Sequence, residues 1–171
     1  MKKAILFLLK PFSFLPAILI MYLIFSFSGQ TGEVSANLSY RVSVKIVETG
    51  NEILDLGMDS DTVSYYAERI HPKVRKAAHM TEYFVLAIAV SFPLYVYGLR
   101  GILLLILAGG ICVGFACLDE FHQSFVAGRG PSKRDVLIDS IGIFIGIMVV
   151  RIFCWTALRL LPGGGSGKKN H

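Results

Sequence analysis

The sequence predicts an all-α fold: an integral membrane helical bundle of about four transmembrane helices, with an extended first loop carrying short interfacial helices. Three observations carry that class. Hydrophobic residues make up 54% of the 171-residue chain and charged residues only 17%, with a mean hydropathy of +0.61, whereas a soluble domain is about a quarter charged. The apolar residues gather into long runs instead of alternating. Only helices satisfy their own backbone in lipid at that length, because barrel strands alternate in polarity and are about half as long.

The elements follow in chain order. The first run covers about residues 12–27. Met1-Lys2-Lys3 and the small residues of Ser26-Phe27-Ser28 have the outline of a secretory leader. Lys10 and Pro11 interrupt its apolar core, so an uncleaved first helix is expected. The second run covers 77–99, the third 101–118 and the fourth 136–161. A helix needs about 20 residues to cross a hydrocarbon core of about 30 Å, which leaves the first and third runs short and the fourth with length to spare. In the first loop, Val34 to Val47 alternates in part, and Ser60 to Arg75 reads as a short amphipathic helix lying at the interface. The acids Glu52, Asp55, Asp59 and Asp61 are irregularly spaced and read as solvated charge. The whole is expected to be a single domain over 1–161, followed by a flexible basic tail at 162–171 that opens on a Gly/Ser linker.

A multi-pass protein of the cell membrane is therefore expected. The N-terminus is placed inside, because Lys2 and Lys3 lead the first helix into the bilayer, although the overall count of loop cations mildly favours the reverse. The net charge of +5 and pI near 9.2 suit membrane lipids as partners, at about 1 kcal/mol per basic residue near an anionic surface. No basic–aromatic groove pattern points to nucleic acid. Cys112, Cys117 and Cys154 all fall inside apolar runs without CxxC spacing, and read as small core residues.

Two polar clusters interrupt the apolar chain. Charge at a bilayer edge is costly, so each is a functional-site hypothesis. Lys76, His79, Glu82 and Tyr83 share one helix face at the mouth of the second run. Asp119, Glu120, His122, Gln123 and Arg129 lie at the end of the third run, followed by Asp135 and Asp139 at the start of the fourth. Gly110-x3-Gly114 and Gly142-x3-Gly146 are small-xxx-small patterns. They suggest that the third and fourth helices pack closely and bring Asp119 and Glu120 near Asp139.

Three readings of these residues stay open. One is structural pairing of helix ends. One is binding of an anionic partner, with Lys76, His79, Glu82, Tyr83, Asp119, Glu120, Gln123, Arg129, Asp135 and Asp139 as the candidate ligand-binding residues. The third is catalysis, with His79 and Glu120 as candidate acid–base groups and Arg129 as a clamp for a phosphate or carboxylate. A metal site would take His79, Glu82, Glu120 and His122 as ligands, but no HExxH or paired-Cys spacing supports it, and neither a metal nor a cofactor is expected.

The runs Arg75-Lys76-Ala77-Ala78-His79-Met80-Thr81-Glu82-Tyr83-Phe84, Asp119-Glu120-Phe121-His122-Gln123-Ser124-Phe125-Val126-Ala127-Gly128-Arg129 and Asp135-Val136-Leu137-Ile138-Asp139-Ser140-Ile141-Gly142 closely resemble the VanZ-like family. Phe25-Ser26-Phe27-Ser28-Gly29-Gln30, with Ser35 and Ser39, is similar to its signature after the first helix. The likeness extends to about Val150. Asp139 stands where many relatives carry Asn, and Ser124 with Val126-Ala127 varies the turn before Arg129. The resemblance implies a small multi-spanning membrane protein. It also implies a link to the cell envelope and to antibiotic resistance of the teicoplanin type, which the founding member confers without altered peptidoglycan precursors. On that footing an anionic or lipid-linked envelope precursor or polymer is the expected partner.

Overall fold

The computed structural model describes residues 11–160, and side chains over 12–156. The expected tail at 162–171 lies outside the described residues. After a 3-10 turn, Pro11–Phe14, the chain forms α1 (Leu15–Ser28), α2 (Gly32–Leu54), α3 (Ser60–Val96), α4 (Gly101–Gln123) and α5 (Lys133–Leu160). No strand occurs among the described residues, in line with an all-helical membrane bundle.

By length and composition, Ser60–Val96, Gly101–Gln123 and the Lys133–Thr156 part of α5 are able to cross a membrane. Phe12–Ser28 passes the same test only together with Gly32–Leu54, across a bend of 107°. The fourteen residues of α1 rise only about 21 Å at about 1.5 Å each. The bend falls at Thr31, whose extended backbone ends the run and whose hydroxyl accepts from the Val34 N–H at 3.4 Å as the cap of α2.

The first loop departs from expectation. In place of an extended segment with short helices stands the 23-residue α2, and Ser60 to Arg75 is continuous with the second span in the 37-residue α3. Pro72 does not end that helix. It removes one N–H, the one that would reach back to the Glu68 carbonyl, and Val63 and Ala67 are buried on the preceding turns. The acids expected to be only solvated include the cap of α3: Asp59 accepts from the Thr62 N–H at 2.9 Å, and the Thr62 side chain first, then this N–H, hold its carboxyl below the usual range. α2 packs along the first half of α3 through its serine face, where Ser39 Oγ and His71 Nε2 are 2.8 Å apart. Beside that face Val34, Leu38, Val42 and Ile46, four residues apart, stay exposed.

The core lies where α3, α4 and α5 meet, around Tyr83, Leu86, Leu104, Cys112, Ile143 and Ile147, while the large apolar residues on the outer faces of α1, α4 and α5 are exposed, as lipid-facing positions would be. The small-residue patterns do not act where they were expected to. Gly142 and Gly146 pack against α3: a Cβ at Gly142 would collide with the Met80 carbonyl, and one at Gly146 would stand 2.6 Å from the Phe84 carbonyl. Gly110 and Gly114 meet nothing within 4 Å. α3 and α5 accordingly form the most extensive helix pair. Cys112 and Cys154 are buried, whereas Cys117 faces outward.

Candidate functional site

The polar residues gather where the ends of α1 and α4, the middle of α3, the start of α5 and the α4–α5 loop converge. The third apolar run does not stop at Leu118. The helix continues to Gln123, and that extra turn turns Asp119, Glu120 and Gln123 inward, to exposures of 2%, 7% and 5%. A buried carboxylate requires donors. Asp119 Oδ2 accepts from Ser28 Oγ at 2.7 Å and from Gln123 Nε2 at 2.9 Å, which ties the end of α1 to the end of α4. Ser28→Ala should therefore lower stability by about 1–3 kcal/mol through the acceptor left short of a donor. Thermal unfolding of the purified chain checks this, and an unchanged midpoint would mean the tie is dispensable.

Glu120 serves the loop. Its Oε2 accepts the Ser132 N–H at 2.7 Å, fixing the segment that leads into α5. The same loop closes against the start of α2. Gly32 N–H donates to the Ala127 carbonyl at 3.0 Å, a Cβ at Gly32 would strike the Gly128 carbonyl, and Gly128 itself holds a φ of +73° that favours glycine. The loop is thus clamped between Glu120 on one side and α2 on the other, and Arg129 is presented from it.

Arg129 Nη2 donates to the Phe27 carbonyl at 3.4 Å, while Nε and Nη1 are buried without a hydrogen-bond partner. Burial, and then the neighbouring Arg75, lower its affinity for its proton, with Asp119, Glu82 and Glu120 acting in the opposite sense. It stays charged, as guanidinium does in proteins. Neither Arg129 nor Arg75 forms an ion pair among the described residues, where the pairs found are Lys45–Glu48 and His79–Glu82. Two cations therefore face one region without a direct ion pair among the described residues.

Two cavities meet at that region, and Arg75, His79 and Arg129 line both. One, of about 190 Å³, runs between α2 and α3 and is mostly apolar, with Phe27, Leu38, Val42 and Val74 among its walls and Glu82 beside His79. The other, of about 400 Å³, is the more polar of the two and is lined also by His71, Lys76, Gln123, Asp135 and Asp139. Asp139 is only 2% exposed, and its Oδ1 has no partner.

Of the residues singled out in the sequence, Lys76, His79, Glu82, Gln123, Arg129, Asp135 and Asp139 line one cavity or both. Tyr83 is fully buried in the core beside them. Asp119 lies behind the site in its bond network, and Glu120 lines neither cavity. The carboxylate facing His79 is that of Glu82, with Oε2 3.8 Å from Nδ1, while Glu120 Oε2 is engaged by the Ser132 N–H. α4 and α5 are in contact, and Asp119 and Glu120 lie close enough to Asp139 to act on it electrostatically, as expected, although Gly142 and Gly146 make their close approach to α3. His122 stacks on Phe25 at 4.0 Å between centroids.

Sequence reasoning did not select Arg75, Ser28 or His71. Arg75 precedes the apolar run at 77–99 in the sequence, but in the folded chain it lies within α3. It stands four residues before His79 and so shares its face, a signal that was available. Among the described residues no group of three or more His, Cys, Asp or Glu side chains is disposed to hold a metal ion. A family model described as VanZ/LLP1 matches residues 13–154. No curated protein and no solved structure matches the chain.

Proposed function

The chain belongs to the VanZ/LLP1 family, and we propose that this membrane protein binds an anionic amphiphile of the cell envelope at the Arg75–Arg129 pair. The observation that carries the reading is the Arg129 guanidinium, which keeps Nε and Nη1 buried and unpartnered with a second arginine beside it. A buried charge without a counter-ion is costly, and a planar fork suits phosphate or carboxylate oxygens taken two at a time. The mostly apolar cavity that shares Arg75 and Arg129 offers a bed for the hydrocarbon part of the same molecule. In this reading α2, set off from α1 by the 107° bend, lies along the interface with Val34 and Ile46 toward lipid and Leu38 and Val42 lining the mouth of that cavity.

The reading extends to the process. Holding a lipid-linked precursor or an anionic envelope polymer would change what a lipophilic glycopeptide meets at the surface of the cell membrane, and so would support resistance of the teicoplanin type. The test is a titration of the full chain, in phosphatidylcholine bilayers, with phosphatidic acid. Wild type should bind at least roughly tenfold more tightly than an Arg75→Gln, Arg129→Gln variant, given that hydrogen bonds to charged groups contribute about 1.5–3 kcal/mol. Equal binding by the two proteins would remove the assignment.

A further inference from the structure

The polar cavity holds a second charge that anion binding alone leaves unused. On the wall formed by α5, Asp135 and Asp139 stand four residues apart on one helix face, and both line the 400 Å³ cavity. Asp139 is buried to 2% exposure and keeps Oδ1 without a donor. Neither acid pairs with Arg75, Arg129 or Lys76, although all five line the same cavity. The cavity thus has cations presented by α3 and the α4–α5 loop and carboxylates presented by α5, held apart rather than neutralising one another. A site meant only for an anion would gain nothing from an unpartnered carboxylate buried in its wall, since like charges repel and the buried oxygen lacks a donor.

We propose that the site takes a lipid headgroup carrying both a phosphate and a primary ammonium, of the phosphoethanolamine type, with the phosphate at Arg75 and Arg129 and the ammonium at Asp135 and Asp139. An ammonium offers three N–H donors in a compact head, enough to serve Asp139 Oδ1 and an Asp135 oxygen together. The lipid is favoured over a soluble phosphoamine because the apolar cavity between α2 and α3 opens from the same two arginines. The inference rests on the anionic-amphiphile reading and narrows it to a zwitterion.

The test uses the purified full chain in a phosphatidylcholine background, with lipids retained by the protein read by native mass spectrometry. Phosphatidylethanolamine, phosphatidylglycerol and soluble phosphoethanolamine are the probes. Wild type should retain phosphatidylethanolamine roughly tenfold over both phosphatidylglycerol, which has no ammonium, and phosphatidylcholine, whose quaternary nitrogen has no N–H. Asp135→Asn, Asp139→Asn should erase that preference while still retaining phosphatidylglycerol. The comparison of probes on wild type needs no variant to fold. Equal retention of the ethanolamine and glycerol lipids by wild type overturns the proposal, as does a preference that survives both substitutions. If both lipids are retained equally and through Arg129, the anionic-amphiphile reading stands and only the zwitterion fails; if neither is retained, both fail. Soluble phosphoethanolamine should bind at least tenfold more weakly than the lipid, and equal affinity overturns the lipid assignment.

Discussion

Replacing Arg129 with Lys is expected to weaken retention of an anionic amphiphile by roughly ten- to a hundredfold, and to abolish any glycopeptide-resistance phenotype, while the protein still accumulates in the membrane. The charge is conserved in this substitution, so what is lost is geometry. The guanidinium reaches the Phe27 carbonyl with Nη2 at 3.4 Å and still presents Nε and Nη1 in one plane. An ammonium cannot do both, because its donors radiate from a single nitrogen. The loop that carries Arg129 is fixed independently, by the Glu120–Ser132 and Gly32–Ala127 bonds, so it should keep its shape in the Lys variant. Drug-susceptibility assays paired with quantification of the membrane fraction check the result. Full function in the Lys variant would reduce Arg129 to a surface charge, and failure to accumulate would make it structural.

The second large effect is expected at Gly142. Gly142→Val should prevent close packing of α3 and α5 and leave little folded protein, because the added Cβ meets the Met80 backbone carbonyl, which has no rotamer by which to escape. Overpacking a side-chain core costs about 1–3 kcal/mol, and a backbone collision in the most extensive helix pair lies at or beyond the upper end of that range. Gly110→Val is the matched control. The same pattern of small residues surrounds it, yet nothing lies within 4 Å, so it should accumulate like wild type. Yield and thermal stability in detergent, compared between the two variants, decide the matter: equal loss would mean that both patterns pack in the folded protein.

That pair of glycines also marks how far the sequence was legible. Long apolar runs announced the helices, because twenty or so residues without charge have few other uses. Which helix each run would face was not legible, since Gly-x3-Gly states that a close approach is possible without naming the partner. The continuity of α3 through Arg75 was hidden for a similar reason. Its first half is as charged as a loop, and Pro72 has the outline of a stop, whereas the burial of Val63 and Ala67 that holds the helix together is tertiary.

Within the site, His79, Glu82, Arg129, Asp135 and Asp139 were conspicuous as ionisable groups at the edges of apolar runs. Ser28 was not, because a serine near a helix end has many ordinary uses, and its part comes from its 2.7 Å bond to Asp119 and the 3.3 Å bond it accepts from Gln123. The role of Glu120 in holding the Ser132 N–H was equally invisible, since it depends on the loop folding back twelve residues later.

The central claim, that Arg75 and Arg129 together hold an anionic amphiphile, is tested most directly by native mass spectrometry of the chain extracted gently from its own membrane. Wild type should carry a retained phosphate- or carboxylate-bearing lipid species that is missing from Arg75→Gln, Arg129→Gln protein extracted in the same way. Retention of the same species in equal amount by both proteins, or a wild-type protein that carries no phosphate- or carboxylate-bearing lipid at all, would contradict the account.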